Sequence, residues 1–447
     1  MTPLLPPTGW ASLWQLHLGD ARRLPLADRS VHCIVTSPPY WMQRRYKTID
    51  PACIGMEPTV EQYIANLVDV FRECWRVLRD DGTMWVNLGD VYGGSGSGGG
   101  GNQKGNESGE VWFQGRATSN LEGMAGQLLG LPWRVAFALQ ADGWILRQDV
   151  IWAKPCCLPE SVDGWKWRRC RVKVGSDRET TQGYSNETGR PNHSGSVVSG
   201  VTWADCPGCP KCDSNGGLVL DKGSWRSTRS HEYIFQFVKQ MGYFADREGV
   251  ATPSKDDRGS SFTDGRDVEV YPGLGMGERQ ESTTANRRSV WADIHPHQLS
   301  GKLGHYATFP PDLPKICIKA STSEKGCCPE CGAPWARVVE HTNGVSKDAI
   351  RRWHGHYARG GVGDTVGTVG QSGSGPIEAK TLTLGWRATC QCPAQGPVPA
   401  LILDPFAGMA TTLLAAAALG RRSVGMEISE EYLKVASQRL DLLAPRF

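Results

Sequence analysis

The sequence contains no apolar run approaching the roughly 18 residues that a membrane-spanning helix needs. Its first residues, MTPLLPPTGWASLW, lack the basic segment, apolar core and small-residue cleavage site of a secretory signal. These absences predict a cytoplasmic protein with no membrane partner. Charge of one sign is lacking as well: 49 Lys and Arg against 46 Asp and Glu leave a formal net charge of +3. So small a balance neither demands nor excludes nucleic acid, because binding can rest on a local basic patch. No repeat of fixed period is visible, which excludes solenoids and propellers.

Cysteine, by contrast, is plentiful, with 15 residues. In a cytosolic chain that number argues against a disulfide framework and makes spacing the test for metal binding. CPGCPKC sets Cys206, Cys209 and Cys212 at two-residue intervals, CPECG sets Cys328 and Cys331 in a knuckle of the same type, and CQC supplies Cys390 and Cys392. The first group needs a fourth ligand, for which Cys170 in WKWRRCRVK is the candidate. The second closes on its own four cysteines with the polar run 355–378 looped out, Cys327 being the alternative ligand. Four thiolates in tetrahedral array would pin a lobe that has little core of its own. An iron–sulfur centre also uses this spacing, but the further Cys-Pro of that motif is absent. Two structural zinc ions are therefore expected. Lys166, Arg168, Arg169, Arg171 and Lys173 form one basic patch around Cys170, interleaved with Trp165 and Trp167. The patch reads either as a solvated face or as a DNA-reading element fastened by the metal.

Strand and helix patterns alternate along the chain, which predicts an α/β fold with a mainly parallel sheet. VHCIV (31–35), TMWVNL (83–88), WILRQDVIW (144–152) and HEYIFQFV (231–238) read as strands. Ile64, Leu67, Val68, Phe71, Trp75 and Leu78 recur at helical intervals from Val60 until DDG stops the pattern, and Pro132 opens a second helix. The Gly-rich segments 93–101 and 355–375 and the polar region 246–288 lack apolar periodicity and read as loops.

Two stretches carry chemistry. In TSPPYW, two consecutive prolines after the apolar HCIV can neither continue a helix nor donate to a strand ladder, so the chain leaves its strand in a fixed, extended geometry. Taken alone this is a stiff turn. In the last fifty residues, ALILDPFAGMATTLLAAAALG gives a strand ending at Asp404, a Gly-bearing turn and an Ala/Leu helix, and RRSVGMEIS gives a strand ending at Glu427. Strand, turn, helix, strand and acidic tip is the arrangement that holds an adenosine, the carboxylate accepting from ribose hydroxyls. The later glycines of the dinucleotide fingerprint and the lysine of a P-loop are missing, so a nucleoside without phosphates fits.

TSPPYW followed by DPFAGMATT resembles the paired signature of the β group of amino-directed DNA methyltransferases, in which the catalytic motif precedes the cofactor motif. GDARRLPLADRSVHCIV, HEYIFQFVK, GHYATFPPDLPKICIKAST and GMEISEEY stand in the expected order between and after them. The resemblance implies a Rossmann-like methyltransferase with a mainly parallel seven-stranded sheet plus zinc-bearing inserts. It implies S-adenosylmethionine as methyl donor, double-stranded DNA as substrate and a cognate restriction endonuclease as partner. Ser37 and the carbonyl of Pro38 would accept from the target amine, Pro39 would hold the corner, and Tyr40 would stack on a base flipped from the duplex. Asp404, Pro405, Phe406, Gly408 and Thr411 would surround the cofactor and Glu427 its ribose. Thr308 and Phe309 would complete the pocket, and Asp20 would either contact the adenine or cap a strand. Met409 and Ala410 depart from the family pattern, which usually shows a glycine and a small residue there. The implied division is 1–160 as catalytic half, 161–230 as basic Cys-rich insert, 231–320 as return strand and pocket segment, 321–396 as zinc-ribbon-like insert and 397–447 as cofactor-binding half. Ser37 favours N4 of cytosine over the alternative, N6 of adenine. RNA as substrate and a non-catalytic nucleic-acid-binding module are remoter readings. A C5-cytosine enzyme would need an activated cysteine, and Pro155-Cys156 has the dipeptide without the surrounding motif.

Overall fold

The computed structural model describes residues 13–42, 44–45, 53–93, 111–112, 124, 126–154, 164–180, 183–184, 191–192, 197–252, 286–295, 309–342, 380–393 and 396–443. The chain divides into two compact units, Met1–Pro155 with His231–Phe447, and Cys156–Ser230. The second unit therefore begins a few residues before the insert boundary expected from sequence. No helix among the described residues is long and apolar enough to cross a membrane.

The larger unit is built on one sheet whose strands are β1 (Trp14–Leu18), β2 (Val31–Thr36), β3 (Leu78–Leu88), β4 (Ile145–Ala153), β5 (His231–Val238), β6 (Val290–Trp291), β7 (Leu401–Asp404) and β8 (Arg422–Glu427), in the spatial order β1-β8-β7-β2-β3-β5-β4-β6. β1, β8, β7, β2 and β3 run parallel, and β5 is antiparallel to both β3 and β4. The sheet has eight strands where seven were expected. The extra one, β6, is a two-residue parallel edge on β4, too short to leave a periodic signal in sequence. It is held by Trp291, which is 4% exposed and lies 6.3 Å from Trp85. β3 also differs from expectation, because it starts directly after the helix and carries Asp80, Asp81 and Gly82 within it.

The alternation of β2 explains the layers. Ile34 points into a core shared with α1 (Val60–Val77) and α2 (Leu131–Ala141). Cys33 and Val35 point into a second core with Leu313, Cys317 and Ile318 of α3 (Asp312–Ser321) and Ala415 and Ala416 of α4 (Thr411–Ala418). α5 (Glu430–Leu443) packs Ala436 and Leu440 against Ala407 and Leu413. β2 and β7 are neighbours whose following helices, α1 and α4, lie on opposite faces of the sheet. That makes the gap between their carboxyl ends the switch point at which open α/β sheets bind ligands.

Cys156–Ser230 is built differently. Trp165–Arg169 pairs antiparallel with Leu218–Lys222, and Arg171–Thr180 with Val197–Asp205. Trp165 and Trp167 are 68% and 53% exposed, and Cys212 is the only buried apolar side chain among the described residues of this unit.

Candidate functional site

The parallel strands bring their carboxyl ends to one edge, and the motif residues lie there. Asp404, last in β7, is 2% exposed. Its Oδ1 accepts from Thr36 Oγ1 at 2.7 Å and from the backbone N–H of Phe406 at 3.1 Å, and its Oδ2 accepts from Thr412 Oγ1 at 2.7 Å. Burial pushes this carboxyl up to about 6 against those donors. Because Thr36 ends β2, the bond ties the residue before Ser37 to the head of the cofactor-type turn across 368 positions of sequence.

Beyond Asp404 the turn rises to Gly408 at φ 49° and Ala410 at φ 58°. The left-handed conformation costs a side-chain-bearing residue on the order of 1–2 kcal/mol. Ala410 is fully buried and caps α4. Arg439 of α5 steadies the turn by donating to the Met409 carbonyl at 2.7 Å and to Thr411 Oγ1 at 3.0 Å. Of the two residues that depart from the family pattern, Met409 is thus held directly by a buried guanidinium, and Ala410 lies between that contact and the one to Thr411. Gly408 N–H donates to Glu427 Oε2 at 2.9 Å and Ser429 N–H to Oε1 at 2.8 Å, so Glu427, at the tip of β8, closes the turn. Burial pushes the Glu427 carboxyl up to about 7.

Asp20 follows β1, whose last residue pairs with Glu427. Its carboxylate is taken up by Arg22, which donates through Nε at 3.0 and 3.1 Å and through the backbone N–H at 2.9 Å. Burial would raise the Asp20 carboxyl, and the Arg22 contacts hold it below the usual range. Phe309 is half-buried and packs against the core on the α3 and α4 side. Thr308 lies outside the described residues.

The Ser-Pro-Pro-Tyr corner is locked from several elements. Tyr63 of α1 donates to the Pro39 carbonyl at 2.9 Å. Trp41 is 1% exposed and donates to the Glu57 carbonyl at 2.9 Å, which makes it a core residue. Tyr40 donates to Glu232 Oε2 at 2.8 Å, and Asn87 Nδ2 donates to the same oxygen at 2.7 Å and to Tyr40 Oη at 3.0 Å. Lys154 pairs with Glu232 Oε1. Sequence reasoning missed Asn87, Glu232 and Lys154. Asn87 ends a parallel strand and Lys154 follows one, whereas Glu232 opens the antiparallel β5, so only the topology puts all three on this edge.

Both cysteine groups assemble. Cys170, Cys206, Cys209 and Cys212 form one and Cys328, Cys331, Cys390 and Cys392 the other, each with its sulfur atoms within 4.8 Å of one another. Backbone N–H groups, of Lys211 at Cys209 and of Cys331 at Cys328, lower both thiols to about 7, which suits thiolate ligation of a soft divalent metal. Cys327 lies outside the second group, facing the Val398 carbonyl, and burial pushes its thiol up to about 12. The second group is wired to the sheet. Arg79 donates to the Cys331 carbonyl at 2.6 Å, and His32 of β2 bridges the Gly332 carbonyl at 2.9 Å and the Leu401 N–H at 3.1 Å. In the smaller unit, the side chains of Trp165–Arg169 alternate, which sets Trp165, Trp167 and Arg169 on one face and Lys166 and Arg168 on the other. Arg169 and Arg171 both approach Asp205, at 3.5 and 3.8 Å.

A Cβ on Gly89 would lie 2.7 Å from the Tyr40 ring, so Gly89→Ala must displace Tyr40 from Glu232. We expect a loss of about 1–3 kcal/mol in denaturant unfolding. In a Tyr40→Ala background the same substitution should have less than half that effect. Equal losses in the two backgrounds would show that Gly89 does not set the ring position.

The DNA methylase family model matches residues 31–328 and 398–438. The type II methyltransferase M.XycI of Xanthomonas campestris pv. cyanopsidis is 32% identical over 308 residues, covering 68% of this chain and 71% of that protein. M.Cfr9I of Citrobacter freundii is 33% identical over 309 residues, covering 68% and 71%. Among solved structures, the PvuII DNA methyltransferase (cytosine-N4-specific) aligns over 95% of this chain and 86% of its own at 12% identity and a TM-score of 0.45. Since the family match spans both halves of the site and the strands that join them, the chain belongs to the N6/N4 DNA methylase family.

Proposed function

We propose that this DNA methyltransferase moves a methyl group from S-adenosylmethionine to the exocyclic N4 amine of a cytosine flipped out of double-stranded DNA. The observation that carries the reading is the Thr36–Asp404 hydrogen bond, which sets Ser37 beside the turn closed by Glu427. An exocyclic amine is a poor nucleophile because its lone pair is delocalised into the ring. Ser37 Oγ and the Pro38 carbonyl, held at a rigid corner, accept its N–H groups and favour a more tetrahedral nitrogen that attacks the sulfonium methyl. This is preorganised electrostatics, with no covalent nucleophile. Tyr40 stacks on the flipped base, which offsets part of the few kcal/mol of unstacking. Asp404, Pro405, Phe406, Gly408 and Thr411 cradle the cofactor, Glu427 accepts from its ribose, Asp20 lines the adenine end, and Thr308 and Phe309 close the far wall.

The short hydroxyl of Ser37 supports cytosine as target, since a carboxylate or amide there would hold the acceptor at a different depth. Nucleoside mass spectrometry of DNA from a methylation-free host expressing the protein should show N4-methylcytosine, and Ser37→Ala should abolish it. N6-methyladenine alone would overturn the base while leaving the chemistry standing. The relatives' type II designation supports a cognate restriction endonuclease as partner.

Glu427 gives cofactor binding a pH dependence. Its carboxyl titrates at about 7 in the free protein and must be ionised to accept from two ribose hydroxyls. The free protein then binds more protons than the complex, so acid opposes binding. Calorimetry should show S-adenosylmethionine affinity falling by up to about tenfold per pH unit below 7. Glu427→Gln should flatten the profile and Asp404→Ala should weaken binding throughout. A profile flat from pH 6 to 8 in the parent would refute the assignment.

We assign a structural zinc ion to each cysteine group. The one at Cys328 supports the catalytic unit through His32 and Arg79. The other braces the ribbons that carry Lys166, Arg168, Arg169, Arg171 and Lys173 toward DNA phosphates, with Trp165 and Trp167 on the face of Arg169 and Lys166 and Arg168 on the opposite one. Elemental analysis should give two zinc per chain. Cys331→Ser should remove one and lower the melting temperature of the catalytic unit. Cys209→Ser should remove the other with cofactor affinity unchanged. Freshly purified protein without zinc would sink both assignments.

A further inference from the structure

Glu232 belongs to neither signature motif, yet it collects the polar atoms of the catalytic corner. Its Oε2 accepts from Tyr40 at 2.8 Å and from Asn87 Nδ2 at 2.7 Å, and its Oε1 is held by the Lys154 ammonium. The Glu232 side chain is 12% exposed. Lys154 is anchored a second time, its ammonium lying 4.8 Å from the centre of the Trp152 ring. Ser37 Oγ lies 3.5 Å from both Tyr40 Oη and Asn87 Nδ2.

The direction of each proton follows from what each group is able to do. A carboxylate only accepts. Tyr40 must therefore give its single proton to Glu232, which turns the phenol oxygen into an acceptor. Burial and the Glu232 charge hold the Tyr40 phenol well above its usual range, so that proton stays in place. The Ser37 hydroxyl then points its proton at Tyr40 and leaves its lone pairs to the opposite side. Asn87 does not reverse the order, because its Nδ2 only donates, to Glu232 and at 3.0 Å to the Tyr40 oxygen, whose second lone pair remains for the Ser37 proton. Its Oδ1 is buried with no partner among the described residues, and Asn87 is 3% exposed. A network built for stability alone would not leave such an oxygen unmatched.

We propose that Glu232, clamped by Lys154, is a positioning residue that fixes the direction of the hydrogen-bond chain Ser37→Tyr40→Glu232, so that Ser37 Oγ meets the target amine as an acceptor. The proposal rests on the reading of Ser37 given above. It makes Glu232→Gln informative: with Lys154 present, the glutamine turns its oxygen to the ammonium and its NH2 to Tyr40, which reverses the chain. Removing the ammonium as well lets the amide rotate and present its oxygen to Tyr40 again.

The test measures methyl transfer from labelled S-adenosylmethionine to DNA of a methylation-free host, with cofactor affinity by calorimetry. Glu232→Gln should lower kcat at least about tenfold with cofactor affinity unchanged, and adding Lys154→Met should restore kcat to within about threefold of Lys154→Met alone. Where Glu232→Gln does not fold, Tyr40→Phe, which cuts the same link, should show that drop in kcat at unchanged cofactor affinity. Glu232→Gln within about twofold of the parent, a double variant no better than Glu232→Gln, or Tyr40→Phe with full kcat would overturn the proposal. Ser37→Ala separates the two levels. If it retains turnover, the underlying reading fails. If it is inactive while Glu232→Gln is fully active, only the positioning role fails.

Discussion

The buried carboxylate of Asp404 is the constraint on which the site depends. Among the described residues it has no cation beside it, only two threonine hydroxyls and one backbone N–H. A lone charge in such a place is tolerated only when its lone pairs are filled, and its rise to about 6 records how incompletely they are. Thr36 comes from one parallel strand and Thr412 from the helix after another, so satisfying the carboxylate requires both strand ends to be in register. The position of the Ser-Pro-Pro-Tyr corner and the path of the Pro405–Ala410 turn follow from that single requirement. The rigidity of two prolines would mean little if the strand beneath them could slide.

The parts legible in the sequence are those written as short contiguous strings. Ser37 to Tyr40, Asp404 to Gly408 and Glu427 were found because each motif follows its own strand, and parallel strands deliver their carboxyl ends to one edge. The two cysteine groups, including Cys170 thirty-six positions before Cys206, were legible because cysteine pairs at two-residue intervals have few other meanings. Asn87, Glu232, Lys154, Tyr63 and Arg439 were not legible, because each is an ordinary residue of its strand or helix until the sheet order is known. HEYIFQFV was read as a strand with the correct bounds. Its reversal, which puts Glu232 rather than Val238 at the site, has no local signature. β6 was missed because two residues carry no period.

The two cysteine lobes answer different physical problems. Cys156–Ser230 has almost no apolar core among its described residues, so a metal at the proposed Cys170, Cys206, Cys209 and Cys212 site would supply by cross-linking the order that burial does not. The Cys328 lobe is joined to a well-packed sheet, and its contacts, through His32 and Arg79, enter near the starts of β2 and β3, opposite the site. Burial pushes the His32 imidazole down to about 4. It therefore stays neutral, accepting from Leu401 with one nitrogen and donating to Gly332 with the other. The lobe thereby fixes the spacing of β2 and β7 at the end where no Thr36–Asp404 bond exists, so the neighbours whose far ends define the site are tied at both ends.

The electrostatics of the site and the charge of the proposed donor belong together. Asp404 and Glu427 are both raised by burial, to about 6 and about 7, and the Asp404 charge adds to the cost of ionising Glu427. S-adenosylmethionine carries a sulfonium, so under the proposed function its binding would bring a positive charge toward carboxylates that burial makes costly to ionise. Part of that cost would then be offset by the cation. Once the methyl group has left, the donor would be a neutral thioether and the offset would be lost, so the same carboxylates would favour the charged donor over its product.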